Sequence, residues 1–425
     1  MNSLNILILA FGTQGDVQPY LALGGALKQA GHHVRLLTHQ SYAQVATALG
    51  LDFWPVQGNV QEAMQDPALR KVIETGNIIK INQHTAKLVQ EAALEWAQVG
   101  VQAAQDMQLL LAGIGGLSLA RNLEEKLHIP LIEAHVVPFY PTTAFPGALF
   151  PASGGNNMGA FNLLTHHVVQ QVMWQGFRAG DQKVRSAVLG LPASPFWGPR
   201  KVNHRVQPPV IHGISPSVLP RPQDWPAHVH MAGYWLLDPQ RDWQPPEDLK
   251  RFLDAGEKPF YIGFGSMGNR DPEATAELVL GALQRTGQRA VLLKGWGGMF
   301  KGEAPSNVFF SDAIPHTWLF PRMRAVVHHG GAGTTAAGLR AGVPNVVVPF
   351  FGDQAFWGHR VQQLGVGPAP MPRKTLTADQ LTRAIETVLG QPPMTEKARA
   401  LGKKIQAEQG LQDTIGVIER YAKQL

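Results

Sequence analysis

The chain contains no cysteine. That removes disulfides, thiolate-bound metals and a cysteine nucleophile, and it suits a reducing cytoplasm. It has no run of eighteen apolar residues, so no membrane-crossing helix is expected. The opening Met1-Asn-Ser-Leu-Asn-Ile-Leu-Ile-Leu-Ala10 lacks a basic leading region and reads as a buried strand, not a signal peptide. Charged residues make up only 16% of the chain, with no block of like charge and interleaved aromatics, which argues against nucleic-acid binding. There is no Gly-x-x-x-x-Gly-Lys-Ser/Thr, so no P-loop, and no His-Glu-x-x-His. Ser266 lacks the glycine two residues earlier that a nucleophile elbow needs. No Asp-x-Asp occurs, so a diphosphate held on a carboxylate-bound metal is not expected, and no cofactor is called for.

What remains is a globular α/β protein. A length of 425 residues suits two or three domains. The net charge of +6 aids solubility and favours anionic ligands or surfaces. Apolar strands alternate with helices at Asn5–Ala10, Tyr20–Ala30, His33–Thr38 and Tyr42–Leu49, then again from Leu109 to His135. A second series starts near Tyr261 and runs to about Pro370. Such alternation predicts doubly wound parallel sheets, here two of them with a cleft between. The expected divisions are an acceptor-side domain over 1–215, a linker region over 216–240, a second domain over 241–405, and a C-terminal helix over 406–425 packing back on the first.

The densest signal is His328-His-Gly-Gly-Ala-Gly-Thr-Thr335, followed by Phe351-Gly-Asp-Gln354. It lies between the strand-like runs 324–327 and 344–349. A strand, a glycine turn and a helix start together favour a phosphate: backbone N–H groups approach closely and the helix N-terminus attracts negative charge. His329, Gly331, Gly333 and Thr334 are the candidate diphosphate ligands, with Ser266 donating from a second glycine turn at Gly263-Phe-Gly-Ser-Met-Gly268. Asp353 and Gln354 can grip vicinal hydroxyls, so the pattern suits a sugar diphosphate. A rival reading takes Gly331, Gly333 and Ala336 as a dinucleotide fingerprint with Asp353 as the ribose acid, which would make an NAD(P)-dependent oxidoreductase. The strand 289–294, after the other turn, ends in Lys294 rather than an acid, which weakens that rival.

Asp16 follows Gly12-Thr-Gln-Gly15 directly after the first strand. That edge overlooks the ligand crevice of an open sheet, so Asp16 is placed either as a general base or as an N-cap. Glu133 and His135 end a strand at the same edge and are weaker candidates; His32 and His33 read as structural. Phe139 to Phe177 is aromatic and uncharged, including Phe139, Phe145, Met173 and Trp174. Its segment 161–177 reads as a helix, either core or a contact for an apolar acceptor or a membrane. Flat hydrophobic acceptors with one reactive hydroxyl would suit such a lining.

Together these segments resemble GT-B glycosyltransferases of the nucleotide-sugar family that includes sterol 3-beta-glucosyltransferases and antibiotic glycosyltransferases. The resemblance rests on Phe11-Gly-Thr-Gln-Gly-Asp-Val-Gln-Pro19, on Ile214 to Pro220 and Ala232 to Asp238, on the turn at Gly263, and on His328 through Gly358. It implies a metal-independent, inverting transfer of a hexose, such as glucose, from a UDP-sugar to a lipophilic acceptor. By it Asp16 is the base, Asp353 and Gln354 hold the hexose, and Ala313, Ile314 and Trp296 border the nucleobase. Trp357 joins the expected acceptor pocket. Gln14 departs from the arginine usual there in sterol enzymes. A cytoplasmic monomer or weak homodimer is expected, at most peripheral to a membrane.

Overall fold

The computed structural model describes residues 3–58, 78–150, 158–200, 202–237, 243–264, 272–293, 305–311 and 314–425. They form two compact units: residues up to Leu237 with the C-terminal stretch from Glu408, and residues Asp238–Ala407.

The first unit is built on a seven-stranded sheet. In chain order the strands are β1 (Asn5–Leu9), β2 (His33–His39), β3 (Asp52–Val56), β4 (Leu109–Ala112), β5 (Leu131–His135), β6 (Val210–His212) and β7 (Val229–Met231). Their order across the sheet is β3-β2-β1-β4-β5-β6-β7. Every pairing is parallel. β1 is an interior strand, which is why Ile6 to Leu9 are fully buried on both faces. Between β1 and β4 the chain switches direction of winding, which opens a crevice at the carboxyl ends of those strands.

Residues 216–237, expected as linker, belong to this unit. β7 extends the sheet, and Trp235 Nε1 donates to Thr414 Oγ1 at 2.8 Å. The C-terminal helix Gly410–Ala422 packs Ile415, Ile418 and Tyr421 into the same core as Leu21 and Leu27 of the first helix.

That first helix spans Gln14–Gln29 and begins earlier than the sequence reading from Tyr20. Thr13 is its N-cap and Asp16 its third residue, so Pro19 lies inside the helix. A helical start at Gln14 is stabilised by the reciprocal Thr13–Asp16 box.

The second unit holds five strands: β8 (Phe260–Gly263), β9 (Ala290–Leu293), β10 (Val308–Ser311), β11 (Val326–His328) and β12 (Asn345–Val347). The order is β10-β9-β8-β11-β12, again wholly parallel. The pattern repeats that of the first unit, with its switch between β8 and β11. Helix Ala332–Arg340 follows β11 and helix Gln354–Gln363 follows β12.

Candidate active site

In the first unit the carboxyl edges of β1 and β4 converge on Asp16. Its Oδ2 accepts from the Thr13 backbone N–H at 2.8 Å and from Thr13 Oγ1 at 2.8 Å. Desolvation nevertheless holds its carboxyl above the ordinary range, against the pull of those two donors. The side chain still reaches solvent. Asp16 is therefore the third helical residue and not the N-cap, and capping fixes one oxygen without closing off the group.

Asp16 borders a cavity of about 40 Å³, lined also by Phe11, Tyr20, Gly113, Gly115 and Val136. That volume admits a water or two, or the hydroxyl end of a larger molecule. Glycines make the cavity possible. A Cβ on Gly113 would lie 1.7 Å from Tyr20 Oη, and one on Gly115 would lie 2.0 Å from the Phe11 carbonyl oxygen. Tyr20 Oη in turn donates to the Ala134 carbonyl at 2.5 Å, tying the first helix to β5.

His39, at the end of β2, was missed by sequence reasoning. The Gly12 N–H donates to its Nε2 at 3.3 Å, and its ring faces Phe11 and Trp96. Desolvation lowers its pKa, which keeps that nitrogen an acceptor. The available signal was its position: it ends a strand on the same edge as Asp16. Glu133 accepts from Arg121 Nη2 at 2.7 Å and lies 3.2 Å from His135 Nε2. Desolvation would raise its pKa, but Arg121 and His135 together take it well below the usual range, so it is a fixed carboxylate. His32 bridges the Leu4 N–H and Glu419 at the opposite edge, a structural place.

None of the aromatics expected around the acceptor lines this cavity. Phe139 packs on His135, with ring centroids 5.0 Å apart. Phe145 lies against His166, and His166 Nε2 is 3.0 Å from the Phe145 carbonyl. Met173 is half-buried, and Trp174 donates to the Phe196 carbonyl at 2.9 Å. Trp357 is a plain correction: it is 1% exposed in the second unit and donates to Asp353 Oδ2 at 2.7 Å. It orients the aspartate instead of lining an acceptor pocket.

In the second unit the turns after β11 and β12 meet. Gly330 has φ +90°, and a Cβ there would lie 2.6 Å from Val347 and 2.8 Å from the Gln354 carbonyl. Only glycine fits. His328 locks the turn, accepting from the Gly330 N–H at 3.0 Å through Nδ1 and pairing Nε2 with Asn345 Oδ1 at 2.9 Å. Gly331 caps the helix, and space beside Gly333 is open. Thr334 lies in the first turn. Burial lowers His329 to about 4, so its imidazole is neutral.

Asp353 caps the helix after β12. Gln354 is 5% exposed, and its Oε1 accepts from the Phe350 and Phe351 N–H groups at 2.7 and 3.2 Å. Its oxygen thus shapes the turn. Ile314 is buried beside the helix His316–Leu319. Ser266, Trp296 and Ala313 lie outside the described residues.

The dinucleotide reading loses its footing here. Gly331 and Gly333 open the helix after β11, across the switch from the sheet's first strand β8, whereas a dinucleotide fingerprint belongs to the first strand's turn.

Residues 6–146 match the glycosyltransferase family 28 N-terminal domain. Residues 296–419 match the erythromycin biosynthesis protein CIII-like C-terminal domain. The sterol 3-beta-glucosyltransferase UGT80B1 of Arabidopsis thaliana is 34% identical over 98% of this chain and 68% of its own length. The sterol 3-beta-glucosyltransferase of Aspergillus terreus is 36% identical over 100% of this chain. The chain spans only 30% of that fungal protein. Among solved structures, the glycosyltransferase of kitacinnamycin superposes with TM-score 0.69 at 20% identity, covering 99% of each chain. The calicheamicin glycosyltransferase CalG4 superposes with TM-score 0.64 at 19% identity, covering 100% of this chain and 99% of its own. Those structures establish the fold, and the sequence relatives establish kinship: the chain is a GT-B glycosyltransferase and belongs to the family that contains the sterol 3-beta-glucosyltransferases.

Proposed function

We propose that the chain moves a hexose, glucose by preference, from a UDP-sugar to a hydroxyl of a lipophilic acceptor, with inversion and without a metal. The observation that carries this reading is Asp16, a carboxylate aimed by Thr13 at the mouth of a hydroxyl-sized cavity and raised in basicity by desolvation. Asp16 takes the acceptor proton as the acceptor oxygen attacks the anomeric carbon. The bond to the diphosphate breaks from the opposite face, and UDP leaves with the electron pair.

Charge on the departing phosphate is met by the N-terminus of helix Ala332–Arg340, with Thr334 and neutral His329 beside it. Asp353, fixed by Trp357, holds sugar hydroxyls. Support for the donor comes from relatives named sterol 3-beta-glucosyltransferase and UDP-sugar-dependent glycosyltransferase. Structural neighbours have been solved with thymidine diphosphate, so dTDP-sugars are the nearest competitor. The absence of Asp-x-Asp supports metal independence.

The test is a matrix of UDP-glucose, other UDP-hexoses and dTDP-glucose against a sterol, a flavonoid, a free hexose and a hydroxy acid, with and without EDTA. Transfer from UDP-glucose to the sterol or flavonoid in EDTA is the expected result. Preference for the hexose or hydroxy acid overturns the acceptor assignment, and loss of activity in EDTA overturns metal independence.

A further inference from the structure

We propose that the exposed apolar stripe of helix Gly159–Val184, with the Phe196–Trp197 loop fastened beside it, docks on an anionic lipid surface. Phe161, Leu164 and Val168 recur at i, i+3 and i+7, and they are 44%, 56% and 40% exposed. Trp197 is 79% exposed, where a tryptophan body is ordinarily covered. Large apolar side chains gathered on one side of a protein mark a contact surface.

The loop is rigidly mounted. The Phe196 carbonyl accepts from Trp174 Nε1 at 2.9 Å, Gln175 Nε2 at 2.8 Å and Gln171 Nε2 at 3.2 Å. The Arg178 guanidinium lies 5.1 Å from the Phe196 ring centre. Three donors from one helix therefore hold the loop so that Trp197 projects.

Charge identifies the occupant. Residues 159–205, from the helix through the flank of the loop, contain six Lys and Arg against one acidic residue, and Asp224 beside the helix start is engaged by Thr142 and Thr143. That one acid, Asp181, is buried and accepts from Asn122, Ser118 and Ser194. Glu125, which also feels Arg200, is paired with Arg185 at 2.8 Å. Arg200 follows Trp197 by three residues. A second copy of the chain would bring like charge against like charge. A protein partner would need a surface complementary to a ridge and a projecting indole. A fluid bilayer needs none: apolar groups sink into its interface, tryptophan favours that depth, and basic residues meet the headgroups.

The test uses flotation of the full chain with vesicles of phosphatidylcholine alone or with about one third phosphatidylglycerol. No sugar donor is present, so the result is independent of the catalytic reading. Binding should be at least about tenfold stronger on the anionic vesicles and weaken with salt. Trp197→Ser combined with Leu164→Ser should lower it at least about tenfold. Arg200→Glu should lower binding to anionic vesicles only. An unchanged melting profile shows that the variants remain folded. Absence of vesicle binding, or binding indifferent to these residues, overturns the proposal. So does a dimer in sedimentation that Leu164→Ser abolishes, or binding of an acidic polypeptide in place of vesicles.

Discussion

At the residue scale the account rests on how Asp16 is held. Desolvation raises its pKa and the Thr13 donors lower it, with desolvation the larger effect. A base must be deprotonated to act, so kcat/KM should fall as pH drops through a value above the normal carboxylate range. Thr13→Val removes the Oγ1 donor but keeps the backbone one, so the acid limb should move to higher pH. A limb unmoved by Thr13→Val, measured over the full pH profile, would detach that limb from Asp16. On the donor side, Trp357→Phe keeps most of the volume and removes the indole N–H held by Asp353. Losing a hydrogen bond to a charged group costs about 1.5–3 kcal/mol, so KM for the sugar nucleotide should rise by about tenfold or more while binding of UDP alone changes little. Equal losses in both would mean that Asp353 does not touch sugar.

At the scale of elements, two glycine turns carry the geometry. A Cβ at Gly113 would displace the Tyr20 hydroxyl from Ala134, and one at Gly330 would strike Val347 and the Gln354 carbonyl. Each alanine variant should destabilise its unit by about 1–3 kcal/mol in urea titration. Gly113→Ala should lower transfer while sparing UDP binding, and Gly330→Ala should weaken both. The reverse pattern would mean that the two turns serve other roles. The turn at Gly330 was legible in sequence because glycines, paired histidines and a helix start coincide between two β-branched runs. The turn at Gly113 was not, since Gly113-Ile-Gly-Gly116 lacks any polar partner and its purpose is steric. β3 escaped notice because Pro55 interrupts an edge strand, and β7 because proline-rich flanks resemble a linker. The acceptor aromatics are a different case: composition reports that a segment is apolar, not which cavity its side chains reach.

At the scale of the molecule, both parallel sheets were readable from alternation alone, because strands buried on two faces are uniformly apolar. The second unit also carries a pH liability. Burial holds His316 and His329 near 4 and His328 near 3, against 6.5 for an ordinary imidazole. The unfolded chain therefore binds more protons than the folded one between about pH 6.5 and pH 4. Stability is full above 6.5 and falls as pH drops through that window. Urea midpoints across the window should show the decline, and UDP at a hundredfold excess should restore about 2.7 kcal/mol. A midpoint flat from pH 6.5 to 4 would mean these imidazoles are not buried neutral.

The central claim is that Asp16 is the catalytic base of a UDP-sugar transfer. Its most direct measurement compares wild type with Asp16→Asn, following both transfer of glucose from UDP-glucose to a sterol or flavonoid and binding of UDP. The account predicts turnover lower by about 10²–10⁴-fold with UDP affinity nearly unchanged. Full turnover in Asp16→Asn would contradict it and reduce the aspartate to Thr13's partner in the capping box.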